Sequence, residues 1–389
     1  MSAGRGGIVA LLLALVAAGC SRGGWEPPSA RADGATPVLD AVAAAAPVCE
    51  PASLEDRAGR VLIVGMPEVT TPDDPLVVEV HDVGVGGVLL THANVVSEFQ
   101  VAGLVRRLKS GSRGPLLVTV DEEPGRVRTF EQLWGYVPAA RTLAYRMQPQ
   151  GVQEVAKETG EQLADLGITL NFAPVADLDD GIWNGIVGDR SFSADPATAA
   201  DYTLAYARGL QEAGVIPVVK HFPGHGRAAD DSHVILPSVQ APLPVLRGTD
   251  VLPFSTLVQA GAPVVMMANV AYDALDPGIP ASLSPKAYSL LRELGFRGVA
   301  LTDSIGMGSV NLTWNYGDAA VEAIAAGADG VLATDGWGAR WMRDDLVGAV
   351  RSGRLPESRL NEAASRMTAL AGGDPLAFSC QPAALPQLR

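Results

Sequence analysis

Short, continuous apolar runs recur along the chain, separated by longer segments in which apolar residues are three or four positions apart. The runs are rich in Val, Ile and Leu and do not alternate with polar residues, which is typical of strands buried on both faces of a parallel sheet. The predicted strands are Val61–Met66, Gly86–Thr91, Leu116–Asp121, Ile168–Val175, Ile216–His221, Val264–Val270, Val299–Asp303 and Gly330–Ala333.

The segments between these runs have the spacing of amphipathic helices, and examples are Glu98–Lys109, Gly151–Leu166, Thr198–Ala213 and Tyr316–Ala326. Eight strand–helix units in succession predict an α/β fold, a single (β/α)8 barrel of the TIM type. We expect the barrel domain to occupy residues 49–380 and to leave residues 381–389 as a C-terminal tail. A doubly wound open sheet is the alternative arrangement of the same alternation.

Polar residues stand where several of the predicted strands end. Asp121 closes the third run, Asp177 follows the fourth, Lys220 and His221 close the fifth, and Asn269 and Asp303 close the sixth and seventh. One Asp in such a place is explained equally well as the cap of the next helix. Five polar strand ends together favour an active site, because the carboxyl ends of parallel barrel strands converge on one face.

The N-terminal 48 residues have the features of a targeting segment and a linker. After Arg5, the run from Ile8 to Ala18 has 11 apolar or small residues, too short for a membrane-spanning helix, which needs about 20. Residues 17–20, Ala-Ala-Gly-Cys, resemble a bacterial lipobox. We therefore expect residues 1–19 to be a lipoprotein signal peptide, Cys20 to be lipidated, and residues 20–48 to be a flexible tether. A cleaved, secreted protein without a lipid is the alternative.

Two further cysteines, Cys49 and Cys380, flank the predicted barrel. A protein exported from the cytoplasm meets an oxidising compartment, so we expect these two to form a disulfide that ties the ends of the barrel domain together. Two unpaired thiols are the alternative. The expected location is extracytoplasmic, with the protein attached by its lipid to the outer face of the cell membrane.

Composition and charge exclude some classes of protein and of binding partner. The chain has 389 residues, 48% of them hydrophobic and 19% charged, which excludes a largely disordered chain or a disulfide-dense miniprotein. Its net charge of −14 makes a nucleic acid an unsuitable partner. We expect a monomer with a small-molecule substrate, and the charge does not indicate which one.

Three of the five histidines lie within 13 residues, in the segment Lys220-His221-Phe222-Pro223-Gly224-His225-Gly226 and in Asp231-Ser232-His233. Clustered histidines are consistent with a metal site, but no cysteine is nearby and the spacing is not that of a helical zinc motif. Asp231 is close enough to His233 to orient its imidazole, an arrangement suited to general acid–base catalysis. The residues alone leave both interpretations open.

Two more residues are candidates for the same site. Asp303 lies in Leu301-Thr302-Asp303-Ser304 and is suited to act as a nucleophile, a ligand or a helix cap. Arg190 is suited to holding a substrate oxygen or carboxylate, and the alternative is a surface ion pair. A glycine-rich phosphate loop and a GxSxG nucleophile elbow are absent from the sequence.

Taken together, these segments resemble glycoside hydrolase family 3. The motifs are KHFPGHG followed by DSH, NFAPVADL, GDRSF and RGVALTDSIGMG, and the resemblance runs from about Arg60 to Leu370. Within the family, the chain is similar to the single-domain NagZ-type β-N-acetylhexosaminidases. The resemblance implies a TIM barrel, hydrolysis of an oligosaccharide substrate without a cofactor or metal, and a histidine in place of one carboxylate of the usual retaining pair.

The resemblance also implies roles for individual residues. Asp303 would be the nucleophile, and His233, oriented by Asp231, would be the general acid and base. The sugar would be bound by the residues that match the family's binding positions, namely Asp121, Arg190, Lys220 and His221.

Three of the departures from the family pattern bear on the binding of a substrate. The family's third-strand motif is Asp-Gln-Glu-Gly-Gly-Arg-Val-x-Arg. Here Pro124 replaces a glycine and Thr129 replaces a binding arginine, for which Arg126 or Arg128 is a candidate substitute. Asn269 replaces a histidine frequent after the sixth strand. These departures concern the details of substrate binding, in particular on the side of the leaving group.

The expected function is that of an exo-acting, retaining β-N-acetylglucosaminidase, which removes terminal β-linked GlcNAc from muropeptides and other peptidoglycan-derived glycans. Three alternatives remain: a β-N-acetylglucosaminide phosphorylase, a β-glucosidase, and a catalytically silent wall-binding lipoprotein on the same barrel.

Overall fold

The computed structural model describes residues 49–178 and 186–389. All eight predicted strands are present within this part of the chain, with limits that differ by a few residues. The fourth is the shortest of the eight, since its regular pairing covers only Leu170 and Asn171, and beyond it single hydrogen bonds and an isolated bridge between Val175 and Lys220 follow. The strands are β1 Leu62–Gly65, β2 Gly87–Leu90, β3 Leu117–Val120, β4 Leu170–Asn171, β5 Ile216–Phe222, β6 Ser238–Val239, β7 Val264–Met267, β8 Ala271–Tyr272, β9 Val299–Thr302 and β10 Val331–Ala333.

Eight of these strands form one parallel sheet in the order β10-β1-β2-β3-β4-β5-β7-β9, and the short strands β6 and β8 pair separately. The ends of the sheet meet through a parallel bridge between Leu301 and Gly330, where the Thr302 N–H donates to the Gly330 carbonyl at 3.1 Å. The sheet is therefore a nearly closed barrel, which confirms the predicted (β/α)8 fold. The open-sheet alternative is wrong, because it would leave β9 and β10 far apart at opposite edges.

Helices connect the strands, and the four helices predicted from spacing are present. Several begin with a proline in the first turn and a capping side chain, as where the Asp195 carboxylate accepts from the Thr198 N–H. The helices are α1 Leu54–Arg60, α2 Pro75–Val83, α3 Glu98–Gly111, α4 Glu131–Trp134, α5 Ala140–Arg146, α6 Pro149–Asp165, α7 Pro196–Glu212, α8 Leu243–Gly248, α9 Leu252–Ala260, α10 Pro285–Glu293, α11 Gly308–Asn311, α12 Tyr316–Ala326, α13 Ala339–Arg351, α14 Glu357–Leu370 and α15 Pro375–Ser379. Short 3₁₀ turns span His92–Asn94, Gly188–Arg190, Ala281–Leu283 and Gly336–Gly338.

Both faces of the barrel strands are buried, which explains why the strand sequences are apolar throughout. Residues such as Ile63, Leu117 and Leu301 belong to a cluster that fills the barrel interior. Their neighbours Leu62 and Val118 belong to a separate cluster between the strands and the helices. This packing holds the strand ends in fixed positions, and the functional side chains follow those ends.

The disulfide between Cys49 and Cys380 is confirmed, with the two Cα atoms 5.8 Å apart. The segment after Cys380, predicted as a tail, lies against the barrel. Leu388 is buried, and the Arg389 N–H donates to the Ala260 carbonyl at 2.9 Å. Gly261 permits this contact, because a Cβ there would lie 2.3 Å from the Gln387 carbonyl oxygen.

Among residues 49–178 and 186–389, no helix is long and apolar enough to cross a membrane. The predicted signal peptide at 1–19, the lipidation site Cys20 and the tether at 20–48 lie outside the described residues. These three predictions therefore stay predictions.

Candidate active site

A cleft of about 600 Å³ opens at the carboxyl ends of the barrel strands. All seven residues predicted for catalysis and sugar binding line it, so the structure brings together positions that lie up to 182 residues apart in the sequence, as Asp121 and Asp303 do. Buried apolar side chains from β2, β7 and β10 lie beneath them. The lining includes Asp121, Arg190, Lys220, His221, Asp231, His233 and Asp303, above Leu89, Met266 and Leu332.

A smaller cavity of about 280 Å³ lies near the start of β5, beside the C-terminal segment. Its lining includes Ile216, Pro263, Leu370 and Leu385, and none of the described residues around it is ionisable. The groups that could carry out acid–base or nucleophilic chemistry are in the cleft at the other ends of the strands, which is the usual place for the active site of a TIM barrel.

Four charged side chains form a connected network in the wall of the cleft. The Lys220 ammonium contacts Asp121 Oδ1 and Glu123 Oε1, each at 2.7 Å. Arg190 donates to both carboxylate oxygens of Glu123, at 2.8 and 2.7 Å. Two anions and two cations balance in this network, and Asp121 is its most exposed member. Glu123 therefore fixes two donors that face the cleft.

The charges of this network are strongly stabilised by one another. Burial by itself would raise the pKa of Glu123, but Arg190 and Lys220 outweigh it and hold that pKa well below its usual range. Burial would lower the pKa of Arg190 and of Lys220, and the carboxylates around them raise both. All three groups are therefore ionised at neutral pH. Glu123 was not among the predicted site residues, although it stands two residues after Asp121.

The loop after β3 shows where Thr129 and the two arginines proposed to substitute for the family's binding arginine lie. Arg128 donates to Glu122 Oε1 at 2.6 Å, both side chains are almost fully buried, and neither lines the cleft. Thr129 is also buried, and its hydroxyl and N–H both donate to the Asp121 carbonyl at 3.0 Å. Arg128 is thus a structural residue, whereas Arg126 lines the cleft and pairs with Asp189 at 3.1 Å. Of the two arginines, only Arg126 is placed to contact a substrate.

Asp177 positions one of the predicted sugar-binding residues. Its fully buried carboxylate accepts from the His221 imidazole Nδ1 at 2.7 Å, from the His221 N–H at 3.1 Å and from the His225 N–H at 2.7 Å. Burial would raise the pKa of Asp177, but His221 and these hydrogen bonds lower it. The carboxylate therefore orients His221 and leaves its Nε2 directed away from Asp177. The signal in the sequence was the polar residue after the fourth strand.

Asp231 and His233 form the predicted pair. Asp231 Oδ1 lies 2.8 Å from His233 Nδ1 and accepts the His233 backbone N–H at 2.9 Å. These two hydrogen bonds lower the pKa of Asp231. Both side chains are exposed, at 52% and 72%. With Nδ1 engaged by the carboxylate, His233 Nε2 is left to exchange a proton with a substrate.

Asp303 directly follows β9, and its backbone and that of Ser304 are fixed by neighbours. The Asp303 N–H donates to the Met267 carbonyl at 3.0 Å, and Asp303 Oδ1 accepts the Ser304 N–H at 2.7 Å. The Asn269 amide donates to the Ser304 carbonyl at 2.7 Å and accepts from the Ser282 hydroxyl. Asn269 is buried outside the cleft lining, so this departure from the family pattern supports the Asp303 loop rather than touching a substrate.

The loops that carry Asp303 and His233 are joined. The Gly308 N–H donates to the His233 carbonyl at 3.0 Å, and the Ser309 N–H donates to the Ser232 carbonyl at 3.1 Å. Within residues 49–178 and 186–389, no group of three or more His, Cys, Asp or Glu side chains is arranged to hold a metal ion. The geometry thus places a carboxylate and an Asp–His pair around one cleft, which suits nucleophilic catalysis with acid–base assistance.

Comparisons with known proteins agree with this geometry. A model of the glycosyl hydrolase family 3 N-terminal domain matches residues 53–370. The β-hexosaminidase LpqI of Mycobacterium tuberculosis is 36% identical over 386 residues, 95% of this chain and 97% of that protein. A crystal structure of a glycosyl hydrolase family 3 member from Mycobacterium smegmatis matches with a TM-score of 0.77 and 38% identity, covering 82% of this chain and 97% of the other.

A family 3 β-N-acetylglucosaminidase from Paenibacillus has a TM-score of 0.79 and 32% identity, over 87% of this chain and 65% of the other. The family resemblance seen in the sequence is confirmed by these matches, which extend over nearly the whole described part of the chain. This chain belongs to glycoside hydrolase family 3.

Proposed function

We propose that this protein is an exo-acting, retaining β-N-acetylglucosaminidase. The observation that carries the proposal is the single cleft lined by Asp303, by the Asp231–His233 pair and by the donors Arg190 and Lys220. The β-hexosaminidase and β-N-acetylglucosaminidase relatives give the reaction and the sugar. The cleft ends on a buried apolar floor, which suits the entry of a chain end rather than passage of a whole glycan.

The reaction proceeds in two steps. In the first, the Asp303 carboxylate attacks the anomeric carbon, the glycosidic C–O bond breaks, and the His233 imidazolium gives its Nε2 proton to the leaving oxygen. In the second, neutral His233 takes a proton from water, the water oxygen attacks the anomeric carbon, and Asp303 departs. Two inversions retain the anomeric configuration. The Asp231 carboxylate stabilises the imidazolium in each step, at the 2.8 Å distance found here.

Sugar recognition is assigned to the charged network and to His221. Asp121 Oδ2 and Oδ1 are suited to accept from sugar hydroxyls, because this carboxylate is the exposed end of the network. Arg190, Lys220 and His221 donate to oxygens of the ring. Their orientation is fixed before the sugar binds by Glu123 and Asp177, which limits the ordering cost of binding.

The natural substrates in this proposal are GlcNAc-containing glycans and muropeptides derived from the cell wall, outside the cytoplasm. The disulfide supports an oxidising compartment, and the sequence of residues 1–20 supports lipidation at Cys20. The test is incorporation of a labelled fatty acid into the full chain in a bacterial host. Label in the wild-type protein but not in Cys20→Ser supports the anchor, and equal label in both, or none in either, contradicts it.

Release of p-nitrophenol from the β-N-acetylglucosaminide and from the β-glucoside, with and without inorganic phosphate, tests the activity. We expect turnover of the acetamido sugar, retention of configuration by NMR, and no sugar phosphate. Formation of a sugar phosphate would assign a phosphorylase, and a preference for the glucoside would assign a β-glucosidase. No turnover of either substrate by the folded protein would favour the wall-binding alternative.

Asp303→Ala tests the mechanism, because no covalent intermediate can form without the carboxylate. We expect its turnover to fall by at least about a thousandfold, a loss of roughly 4 kcal/mol of transition-state stabilisation. The exposed Asp201 on α7 provides a matched control, and Asp201→Ala is expected to keep wild-type activity. Activity of Asp303→Ala close to that of the control would overturn the mechanism.

A further inference from the structure

His225 is a buried histidine in the wall of the cleft, and the proposed reaction assigns no step to it. It lies in the loop after β5, eight residues before His233, and is 4% exposed. Its Nε2 is 3.1 Å from the Ser232 hydroxyl, and its backbone N–H donates to Asp177. The ring packs edge-on against His221, with the ring centroids 5.6 Å apart. His225 is therefore held on the barrel side and reaches into the loop that carries Asp231 and His233.

The ring has one side-chain hydrogen bond. Nδ1 of His225 is buried and has no partner among the described residues, so the contact with Ser232 is the polar interaction that its imidazole makes. The backbone around His225 packs closely, because a Cβ at Gly226 would lie 1.6 Å from the Leu178 carbonyl oxygen. Such packing leaves the imidazole little freedom to move away from Ser232.

Ser232 is the buried residue of the segment Asp231–His233, whose other two side chains are exposed. It stands between Asp231 and His233 and is 2% exposed, whereas its two neighbours project into solvent. Asp231 and His233 thus gain little from packing of their own side chains. The attachments of this segment are the Ser232 hydroxyl to His225 and the backbone hydrogen bonds of Ser232 and His233 to the loop of Asp303.

We propose that His225 is a positioning residue of the acid–base pair, which it holds beside Asp303 through the Ser232 hydroxyl. This inference rests on the proposed function, since it assigns to His225 the placement of a proton donor. Burial and the adjacent His221 lower the pKa of His225, although Asp177 and Asp303 oppose this effect. The neutral ring acts through a hydrogen bond, and the amide of Gln is able to replace it.

The experiment compares two substrates of the full chain that differ in their need for a proton. The p-nitrophenolate ion leaves readily without protonation, whereas the sugar alkoxide released from N,N′-diacetylchitobiose needs the general acid. We expect His225→Leu to lower kcat/KM for chitobiose about tenfold more than for the nitrophenyl substrate, the size of one hydrogen bond. Azide, which attacks without general-base help, is expected to restore part of the lost kcat with the nitrophenyl substrate.

Three further variants make the comparison specific. His225→Gln is expected to stay within about threefold of wild type. Ser232→Ala, which removes only a hydroxyl and so preserves folding, is expected to match His225→Leu. The double variant is expected to lose no more than either single one, because both remove the same contact. His81→Leu is the matched control, since His81 hydrogen bonds the Leu108 carbonyl on the outer side of the barrel.

His233→Ala distinguishes a failure of the acid–base role of His233 from a failure of the positioning role of His225. If His233→Ala slows both substrates equally, the proposed acid–base assignment itself is wrong. A second outcome concerns His225 alone: His233→Ala slows chitobiose hydrolysis more than nitrophenyl release, but His225→Leu and Ser232→Ala slow both substrates equally, or their losses add in the double variant. In that case the positioning role of His225 is wrong, and the proposed function stands.

Discussion

Glu123→Gln is a sharp test of the charged network, because it preserves the size of the side chain and removes one charge. Glu123 is 1% exposed and accepts three hydrogen bonds, two from Arg190 and one from Lys220. In the variant, two buried cations share the single carboxylate of Asp121. Breaking a buried ion pair from one side typically costs about 3–5 kcal/mol, and we expect a loss of stability of this size at pH 7.

Glu79→Gln is the matched control. Arg340 also donates to both oxygens of Glu79, at 2.8 and 2.6 Å, but this pair is partly exposed on the outside of the barrel. Water screens such a pair, and its loss is expected to cost about 1 kcal/mol or less. The assay is urea unfolding of both variants and the wild type with the disulfide intact. If Glu123→Gln lowers the free energy of unfolding no more than Glu79→Gln does, the buried network does not stabilise the protein as inferred.

The same comparison has a predicted pH dependence. The folded-state pKa of Glu123 is lowered, so its ionisation contributes stability above the unfolded-state value of about 4.5, and this contribution is lost as the pH falls towards the folded-state pKa. The difference in the free energy of unfolding between the wild type and Glu123→Gln is therefore expected to become smaller as the pH falls below about 4.5. A gap that widens on acidification would show that the charge of Glu123 is not its source.

Other variants probe the loops and the disulfide. Gly308→Ala would place a Cβ 2.3 Å from the Val234 carbonyl oxygen, so we expect it to displace the loop of His233. It should then slow chitobiose hydrolysis more than nitrophenyl release. An equal loss of kcat/KM on the two substrates would contradict the loop contact. Asp177→Asn keeps the shape but not the charge that orients His221, and we expect a raised KM for the sugar with a smaller change in kcat. Removing the disulfide by replacing both cysteines with Ser is expected to lower the free energy of unfolding by about 2–5 kcal/mol, since the bond closes a loop of 331 residues, and an unchanged urea midpoint would count against this.

Much of the fold and part of the site could be predicted from the sequence. The strands were recognisable because strands buried on both faces must be apolar, and Asp121 and Asp303 were recognisable because each directly follows such a strand. The fourth strand was predicted longer than its regular ladder, since an apolar run does not show where the ladder gives way to single hydrogen bonds. Arg128 was a candidate for the cleft, but the structure places it in a buried pair with Glu122.

The supporting residues could not be assigned from the sequence. Glu123 pairs with Arg190 across 67 residues, and Asp177 with His221 across 44. The sequence does not show whether the carboxylate of a loop residue faces water, a substrate or a buried cation. Only burial distinguishes these cases, and burial depends on which loops come together above the barrel.

The sequence by itself determined the class of fold, the face on which chemistry occurs and several strand-end groups of the cleft, such as Asp121, Lys220 and Asp303, because strand burial and strand polarity are set locally. The tertiary structure alone decided which charges neutralise one another, which histidines of the cleft are buried and which is exposed, and how the loop of His233 is joined to the loop of Asp303. These contacts link residues far apart in the chain, and closure of the barrel is what brings them within hydrogen-bonding distance.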